Sequence, residues 1–369
     1  MKNILITGGA GFIGSHVTDL LVSRGYSVRL LDNLSAQVHP DGPPRYLAKD
    51  AELVMGDVRD PDAVARALRG IDGVIHLAAA VGVGQSMYEI VSYTDVNDLG
   101  TAVLLQALAR HPVERLVCAS SMSVYGEGSA SGPDGEIVAP PERTLEQLRR
   151  GFWELADHQG AALIPVATGE SKIPALSSVY ALNKYVQERL CLIVGAAYKI
   201  PTVALRFFNV YGPRQALSNP YTGVLAIFAA RLLHGRPPLV FEDGRQRRDF
   251  VHVDDVAAAC LLALSSPHSA GRAVNIGSGS SRTILSVAED LARVMGREDI
   301  TPHVTGKYRA GDIRHCFADI SVATSELGFT PKVDFAFGLE NLADWLAGQV
   351  PVDRVEHATR ELESRGLVA

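Results

Sequence analysis

The sequence has little of what marks several large classes of protein. Its four cysteines are far apart, at Cys118, Cys191, Cys260 and Cys316. This spacing argues against a zinc site or a disulfide framework and is typical of a reducing compartment. No apolar run reaches the roughly 18 residues that a membrane-spanning helix needs. The net charge is -6 and the pI about 6.0, which argues against a basic surface for nucleic acid.

Targeting signals and repeats are also missing from the sequence. The N-terminal stretch MKNILITGG runs directly into a strand-like pattern without the layout of a signal peptide. We therefore expect a cytoplasmic protein that binds neither membranes nor nucleic acid. Its 369 residues are 47% hydrophobic and 21% charged, which suffices for one large domain or two ordinary ones.

Short apolar runs alternate with amphipathic segments of helical length, and this alternation predicts βαβ units and a parallel sheet. The predicted strands are residues 4–7, 27–31, 53–55, 73–77, 115–120 and 203–208. The predicted helices between them are residues 14–24, 61–69 and 100–110. Residues 126–177, rich in Gly, Pro and Ser, interrupt the rhythm with one predicted helix at 144–158. The sequence after Pro351 predicts a polar helix that is solvated or caps an interface.

A glycine-rich loop, ITGGAGFIGSH, joins the first predicted strand to the first predicted helix. Gly8 allows a tight turn, Gly11 lets the backbone approach a pyrophosphate, and Gly14 lets the helix pack closely on the strand. The helix N-terminus then presents unpaired N–H groups to the phosphates. Glycine loops are common, but the strand–turn–helix context makes this one a candidate dinucleotide site.

An acidic residue stands where such a site needs it. Asp32 closes the second predicted strand, where a carboxylate accepts hydrogen bonds from the adenosine ribose and repels a 2′-phosphate. The sequence therefore favours NAD over NADP, although Asp32 also fits a turn that it initiates before Asn33. In GDVRD, Asp57 and Val58 are placed to reach an adenine edge, or Asp57 caps the next helix. Small residues in HLAAAVG let a dinucleotide lie near the sheet, or simply pack tightly.

The stretch SSVYALNKYVQ contains Tyr180 and Lys184. Residues four apart lie on the same face of a helix, so the phenol and the ammonium can contact each other. This spacing alone also fits two unrelated surface side chains. The other motifs are needed to distinguish a reactive pair from that alternative.

Six motifs, in this order along the chain, resemble the extended short-chain dehydrogenase/reductases, in particular the NAD-dependent nucleotide-sugar epimerases and dehydratases. They are ITGGAGFIG, HLAAAVG, VNDLGT, SSMSVYG, Tyr180-x-x-x-Lys184 and RFFNVYGPR. The resemblance extends over residues 2–348. It implies an α/β fold, with a Rossmann-type doubly wound parallel sheet that holds NAD and a smaller C-terminal lobe that binds a nucleoside-diphosphate sugar.

The resemblance also implies a division of the chain. Residues 1–211 and 249–264 are expected to form the NAD-binding Rossmann domain, with an insertion at about 128–176. Residues 212–248 and 265–350 are expected to form the nucleotide-sugar lobe, followed by a tail at 351–369. The family often dimerises through its Rossmann helices, so a homodimer is expected.

In this family pattern Tyr180 is the acid/base and Lys184 its partner, which also binds the nicotinamide ribose. A free phenol titrates near 10. A nearby ammonium and oxidised nicotinamide both lower that pKa, so the tyrosinate can accept a proton from a sugar hydroxyl. Ser121 is expected to contact the same sugar oxygen, with Ser123 as a second polar contact. Capping of the strand end is the alternative for both serines.

The resemblance supplies a full set of candidate cofactor contacts. These are Gly8, Gly11, Phe12, Ile13, Gly14, Asp32, Asn33, Asp57, Val58, Leu77, Ala78, Ala79, Asn97, Tyr180 and Lys184.

Met122 and Ser123 distinguish between the reactions of the family. The 4,6-dehydratases have an Asp-Glu pair at these positions, which eliminates water after oxidation. Methionine cannot transfer a proton and serine is a poor general acid, so the sequence resembles an epimerase more than a dehydratase. The expected reaction is reversible oxidation at C4, rotation of the 4-keto sugar and return of hydride to its other face, with NAD kept bound.

The resemblance places the substrate contacts in the C-terminal part of the chain. Asn209, Arg248 and Arg309 are expected at the diphosphate, Arg247 assists, and Asp312 contacts the nucleoside ribose. Arginine suits bidentate phosphate recognition. Asn219 and Tyr221 in LSNPYTG are further hypothetical contacts. The HVDD stretch, residues 252–255, is interpreted as the start of a helix rather than a metal site.

The insertion at 128–176 departs from the family pattern. It separates two catalytic elements, and functional insertions of this length are often lids. With LSNPYTG and FEDGRQRRDF, the layout looks most like the dTDP-L-rhamnose 4-epimerase-like branch and also like UDP-glucose 4-epimerases. Two other functions stay open. A nucleotide-sugar 4-ketoreductase or dehydratase would consume NAD(P)H or lose water, and a non-catalytic NAD-binding regulatory protein would have no turnover.

Overall fold

A seven-stranded parallel sheet forms the centre of the molecule. The computed structural model describes residues 1–217, 223–309, 311–349 and 355–368, with the backbone alone for 355–359. In chain order the central strands are Asn3–Thr7, Ser27–Asp32, Glu52–Met55, Gly73–His76, Arg115–Ser121, Thr202–Phe207 and Arg272–Ile276. Across the sheet their order is third, second, first, fourth, fifth, sixth and seventh. The order reverses beside the first strand, and ligands of such sheets bind at this reversal.

Both faces of the sheet are covered by helices, so its strands are apolar on both sides. Ile4 and Ile6 face one core and Leu5 faces the other, because successive strand residues point to opposite faces. Helices Phe12–Ser23 and Val253–Ser265 pack together on the first face. Helices Pro61–Ala67, Gly100–Arg110 and Val179–Tyr198 cover the second face. The predicted doubly wound Rossmann-type fold is confirmed.

A smaller lobe has its own core, in which the rings of Tyr211, Phe250 and Phe335 pack together. Its helices are Val224–Leu233, Ile284–Val294 and Phe335–Leu346. Its short strands are Asn209–Tyr211, Leu239–Val240, Arg247–Arg248, Phe250–His252, Arg282–Thr283, His303–Val304 and His315–Cys316. Further elements outside the insertion are the helices Val83–Ser86, Ile90–Thr94 and Val355–Ser364, the short π-helices Asp95–Leu99 and Ala323–Leu327, and the 3-10 helix Met122–Tyr125.

The predicted boundary after residue 264 does not match the sheet. The sequence analysis assigned 265–350 to the smaller lobe, but strand Arg272–Ile276 pairs in parallel with Thr202–Phe207 as the last strand of the central sheet. Ala323 and Leu327 also pack in the core of the large domain. A run as short as RAVNI has no periodicity that assigns it to one sheet or another, so the sequence pattern did not identify it.

The insertion contains less helix than predicted. Only Leu145–Arg149 is helical, instead of residues 144–158. Thr144 caps its N-terminus by accepting a hydrogen bond from the Gln147 amide at 3.2 Å. Gly151, with φ of 71°, follows its C-terminus in the left-handed conformation that commonly ends helices. Three two-residue strands, Ala130–Ser131, Ile137–Val138 and Ile164–Pro165, form a small antiparallel sheet beside it.

Charged side chains, most of them buried, join the insertion to the smaller lobe. This insertion charge cluster consists of Glu127, Arg143, Glu154, Glu242, Asp243, Arg314 and His315.

The Arg314 side chain, fully buried, lies at the centre of the cluster. Its guanidinium contacts Glu242 at 2.9 Å, Asp243 at 2.7 Å and Glu154 at 2.5 Å. Because the buried guanidinium has several carboxylate partners, its desolvation is compensated, and loss of one partner leaves part of that charge unpaired.

Arg143 belongs to the insertion and forms a second link of the cluster. Its guanidinium lies 2.8 Å from Glu242 and 3.4 Å from Glu127. It also donates to the backbone carbonyl of Asp312 at 2.9 Å. The insertion is therefore packed into the smaller lobe through charges rather than through a large apolar interface.

Glu154 provides a test of this link. Hydrogen bonds from His315 and Arg314 lower the pKa of Glu154 to about 2 from its ordinary 4.5. A carboxyl with a lower pKa in the folded protein stabilises the fold above the unfolded pKa, and this contribution is lost as the pH falls. We expect Glu154→Gln to lower the free energy of unfolding by about 1 kcal/mol at neutral pH, since the exposed side chain is screened.

The difference between wild type and Glu154→Gln should shrink as the pH falls from 4.5 toward 2. Urea titrations at several pH values measure it. Glu146→Gln is the control, because Glu146 is exposed on the same insertion and lies 4.0 Å from Arg150. A Glu154→Gln effect that is equal at all pH values would contradict the assignment.

Candidate active site

A cavity of about 940 Å³ lies between the carboxyl ends of the central strands and the smaller lobe. The glycine loop, the ends of the second, fourth and fifth strands and helix Val179–Tyr198 line its larger-domain side. Residues from the smaller lobe close the opposite side. The volume is at the upper end of the range for ligand pockets, about 300–1,000 Å³.

The glycine loop forms a cradle that side chains would fill. Gly8 has φ of +69°, and a Cβ there would lie 2.8 Å from the Ala78 amide nitrogen. A Cβ on Gly14 would lie 2.4 Å from the Gly8 carbonyl oxygen. Helix Phe12–Ser23 begins after Gly11 without a side-chain cap, so its first N–H groups are available to a phosphate. Together with Phe12 and Ile13 on the cavity wall, this cradle fits a dinucleotide.

Asp32 initiates a turn and also lies on the cavity wall, where a ribose contact was expected. Its carboxylate lines the cavity and accepts from the Ala10 amide at 3.0 Å, next to the glycine loop. It also accepts from the Leu34 amide at 2.9 Å, which is the turn it was expected to initiate. The second interaction fixes the carboxylate at the cavity wall.

Asp57 also lines the cavity, as do Asn33 and Val58. Asn33 donates to its carboxylate at 3.0 Å, and the Arg59 guanidinium lies 2.8 Å away. The hydrogen bond from Arg59 holds the pKa of Asp57 well below its usual range. Asp57 does not cap the next helix, because Asp60 does so instead.

Leu77, Ala78 and Ala79 line the cavity at the end of the fourth strand, but Asn97 does not. The Asn97 side chain is fully buried behind that loop. It accepts from the Ala80 amide at 2.7 Å and donates to the Ala80 carbonyl at 3.1 Å. The predicted cofactor contact of Asn97 is therefore corrected. Its side-chain amide binds both the N–H and the C=O of Ala80 and so holds the loop after the fourth strand in place.

Tyr180 lies in the first turn of helix Val179–Tyr198, with Ser121 opposite. The two hydroxyls form a hydrogen bond. Ser123 donates to the Ser121 hydroxyl at 2.9 Å, so three hydroxyls lie in a row at the cavity wall. Ser121 also caps the short turn after its strand. The backbone amide of Tyr180 donates to the Ser86 hydroxyl at 3.0 Å, which fixes the start of the helix.

The sequence predicted that the Lys184 ammonium lowers the pKa of Tyr180, and the structure does not show this effect. Burial raises the pKa of Tyr180 to about 12, and the hydrogen bond with Ser121 opposes this in part. Lys184 does not contribute to the shift. Its ammonium donates instead to Gln187 Oε1 at 2.9 Å, and burial lowers the pKa of Lys184.

Behind Lys184, a chain of hydrogen-bonded, buried polar side chains leads to Thr7, at the end of the first strand. Gln187 Nε2 donates to the Thr101 hydroxyl at 2.8 Å, and Thr101 donates to the Asn97 carbonyl at 2.5 Å. His76 Nε2 lies 2.9 Å from the same hydroxyl, and its Nδ1 lies 2.7 Å from the Thr7 hydroxyl. Burial lowers the pKa of His76 to about 3, so the ring is neutral.

This chain of buried polar side chains was not predicted from the sequence. Gln187 lies three residues after Lys184 and hence on the same helical face, which is the one signal that pointed to it. His76 and Thr101 stand in the motifs HLAAAVG and VNDLGT, but neither motif indicated a role for these two side chains, because sequence position does not show which polar residues are buried.

The predicted substrate residues converge on the smaller-lobe side of the cavity. Asn209, Arg248, Arg309 and Asp312 all line it. The Arg309 guanidinium stacks 4.4 Å above the Phe241 ring, and its Nε is buried without a hydrogen-bond partner in the described structure. The Arg248 guanidinium lies 3.7 Å from the Asp312 carboxylate. Two cationic groups that share one wall suit a diphosphate.

Other predictions for this lobe have different outcomes. Arg247 is exposed and does not line the cavity. Asn219 and Tyr221 lie outside the described residues. His252 caps helix Val253–Ser265 by accepting from the Asp254 amide at 3.3 Å. The residues that the structure describes contain no group of side chains placed to hold a metal ion.

The insertion does not form a lid. None of residues 128–176 lines the cavity. The Gly128 amide donates to the His315 carbonyl at 2.7 Å and the Thr168 amide to the Phe317 carbonyl at 2.8 Å, so the insertion pairs with residues 315–317. Among the described helices, none is long and apolar enough to span a membrane.

Gln187 offers a test of the buried chain. Gln187→Leu removes the acceptor of the Lys184 ammonium, which disfavours the charged form, so we expect the pKa of Lys184 to fall further. Gln187→Glu keeps an acceptor and adds a negative charge, so that pKa should rise. Nuclear magnetic resonance titration of lysine-labelled protein measures both shifts. Arg189→Ala, exposed on the same helix, should leave the pKa unchanged, and shifts of the same sign in both Gln187 variants would refute the contact.

Comparisons with known proteins agree with this geometry. The profile of the NAD dependent epimerase/dehydratase family matches residues 4–146 and 160–277. The chain is 37% identical to dTDP-L-rhamnose 4-epimerase of Burkholderia thailandensis over 354 residues, 95% of this chain and 96% of that protein.

Solved structures show the same similarity. UDP-glucose 4-epimerase of Thermotoga maritima, in complex with UDP-glucose, superposes with a TM-score of 0.77 at 31% identity over 94% of this chain and 98% of that one. UDP-glucose 4-epimerase of Thermus thermophilus, in complex with NAD, gives 0.74 at 33% identity over 94% of this chain and all of that one (100%). The chain belongs to the NAD dependent epimerase/dehydratase family.

Proposed function

We propose that this protein is an NAD-dependent 4-epimerase of a nucleoside-diphosphate hexose. The observation that carries the proposal is the single cavity wall on which Tyr180, Ser121 and the glycine cradle meet, facing Arg248 and Arg309. It brings together a group that can transfer a proton, a dinucleotide cradle and a diphosphate site. The similar proteins named as dTDP-L-rhamnose and UDP-glucose 4-epimerases support a dTDP- or UDP-hexose as substrate.

The residues of this chain divide the work as follows. Arg248 and Arg309 hold the diphosphate, which places the sugar toward Tyr180. The Tyr180 phenolate accepts the proton of the sugar C4 hydroxyl and later returns it, while Ser121 holds the same oxygen. Bound NAD supplies the hydride acceptor and, when oxidised, a positive charge that favours the phenolate. Because burial raises the pKa of Tyr180 to about 12, this added charge is needed near neutral pH.

The wall beside Tyr180 also argues against elimination of water. Met122 and Ser123 both line the cavity, and Ser123 donates its hydrogen bond to Ser121. Neither side chain provides the carboxyl pair that a dehydratase uses at these positions. We therefore expect the product to keep all the oxygen atoms of the substrate, without elimination of water.

A panel of UDP-, dTDP- and GDP-sugars without added reductant tests the proposal. We expect inversion at C4 with no net redox change, and nuclear magnetic resonance of the sugar measures this inversion. Tyr180→Phe should bind NAD but lose roughly 10²–10⁴-fold in kcat, since it lacks the transferable proton. Tyr185→Phe, on the same helix, is the matched control.

Three results would overturn the epimerase assignment. Net consumption of NAD(P)H would identify a ketoreductase, and loss of water would identify a dehydratase. Full activity of Tyr180→Phe would remove the tyrosine from the mechanism. Absence of turnover with the whole panel, despite NAD binding, would favour a regulatory protein.

We also propose a homodimer formed by the outer faces of helices Gly100–Arg110 and Val179–Tyr198. Leu182 and Ile193 lie on one stripe of the second helix and are 46% and 56% exposed. Exposed apolar stripes of this kind often mark subunit interfaces. The four cysteines are free and buried, which fits the expected cytoplasmic location.

Sedimentation equilibrium tests the dimer. Wild type should sediment as a dimer and Ile193→Glu as a monomer, because a charge would be buried in the apolar interface. Ile173→Glu is the control, since Ile173 is 81% exposed on the insertion and should leave the dimer intact. A monomeric wild type, or a dimeric Ile193→Glu, would refute this interface.

A further inference from the structure

The C-terminal segment, residues 360–368, folds back onto the cavity. Leu362 and Leu367 both line it, and Leu362 and Val368 are buried. The sequence analysis expected a polar helix that is solvated or caps an interface. Helix Val355–Ser364 is present, but Leu362 on this helix and Leu367 after it contribute apolar side chains to the cavity wall. The matched family profile ends at residue 277, before this segment.

On one side, the segment contacts the larger domain beside Tyr180. The Leu362 side chain packs against Gly84, where an added Cβ would lie 3.3 Å from a Leu362 methyl carbon. The Arg365 guanidinium stacks 4.5 Å above the Tyr88 ring. Gly84 belongs to helix Val83–Ser86, whose Ser86 hydroxyl accepts from the Tyr180 amide at 3.0 Å. One end of the segment is thus held next to the element that positions the catalytic tyrosine.

On the other side, the segment contacts the smaller lobe at its diphosphate residues. Glu363 and Lys307 form an ion pair at 2.6 Å. Val368 pairs with Arg309 in an antiparallel bridge. The segment therefore spans the distance between Tyr180, which acts at the sugar C4, and Arg309, which faces the diphosphate. In a nucleotide sugar, the hexose is the part that lies between these two positions.

We infer that Leu362 and Leu367, two residues of the segment 360–368, form the outer wall of the sugar subsite and pack against the hexose. The inference rests on the proposed function and names further residues for it. A 4-epimerase has to present both faces of C4 to the same hydride acceptor, so the sugar turns between the two transfers. Apolar side chains contact the CH edges of a hexose without directional hydrogen bonds that would favour one orientation. They also exclude water and keep the 4-keto sugar in the cavity.

Leu362→Ala and Leu367→Ala test the wall, with UDP-glucose and dTDP-L-rhamnose as the probes. We expect KM to rise roughly tenfold in each variant, because a truncated apolar contact loses part of the sugar's binding energy. We also expect the 4-keto sugar to escape. Each escaping ketone leaves its hydride on the cofactor, so one reduced nicotinamide should accumulate per ketone released, visible by near-ultraviolet absorbance.

Matched measurements separate a wall from a merely structural role. Ser364→Ala, exposed on the same helix, should match wild type in every readout. Calorimetry should show weaker binding of the sugar nucleotides to the leucine variants, with unchanged affinity for UDP and dTDP alone and for NAD. Unchanged NAD affinity and melting temperature would show that the variants are folded.

Two results would overturn the inference. The first is wild-type KM in both leucine variants with no reduced nicotinamide accumulating. The second is an equal loss of affinity for UDP or dTDP alone, which would place the leucines at the nucleotide. If wild type bound the sugar nucleotides but turned over neither, the proposed function would fail, and the calorimetric comparison would still decide whether the leucines face the sugar.

Discussion

The buried polar face of helix Val179–Tyr198 is the constraint on which the site depends. Asn183, Lys184, Gln187 and Glu188 are all buried on this helix. Each has a specific partner, such as the Asp98 carboxylate at 2.9 Å for Asn183 and the Arg206 guanidinium at 2.7 Å for Glu188. A shift or rotation of the helix would leave several of these groups unsatisfied at once, and each would cost about 1–3 kcal/mol. The same contacts therefore fix where Tyr180 meets Ser121.

From Glu188 the polar contacts continue across the sheet to the insertion. Arg206 donates to the Tyr125 hydroxyl at 2.8 Å, and Tyr125 donates to Asn275 at 2.7 Å. Asn275, on the last strand of the sheet, donates to the Thr168 carbonyl of the insertion at 2.9 Å. A fully paired chain of this kind specifies one arrangement, because every alternative leaves a buried polar atom without a partner. The positions of the helix, the sheet and the insertion relative to one another are therefore fixed by the same hydrogen-bonded chain.

The fold and the cofactor half of the site were largely predictable, because both follow from local patterns. Gly8, Gly14 and Asp32 sit in a strand–turn–helix motif whose geometry is set within a few residues, and the structure places all three on the cavity wall. Asn97 was misassigned because its partner, Ala80, comes from a loop 17 residues away, and the motif does not reveal the direction of a side chain. Strand Arg272–Ile276 was misplaced for a similar reason, since its pairing with Thr202–Phe207 is a long-range contact.

The insertion and the C-terminal segment were the least predictable parts, and they meet the same stretch of the smaller lobe from two directions. Arg143 of the insertion holds the Asp312 carbonyl, and the cluster around Arg314 fixes the residues that follow. The C-terminal segment pairs with Lys307 and Arg309 just before them. The stretch that carries Arg309 and Asp312 is therefore held by the charges of the insertion on one side and by an ion pair and a backbone bridge of the C-terminal segment on the other. Neither segment has a role that its own composition reveals, because each acts through the position of residues it contacts. Variation in these two segments can therefore adjust the position of Arg309 and Asp312, the residues proposed to contact the sugar nucleotide.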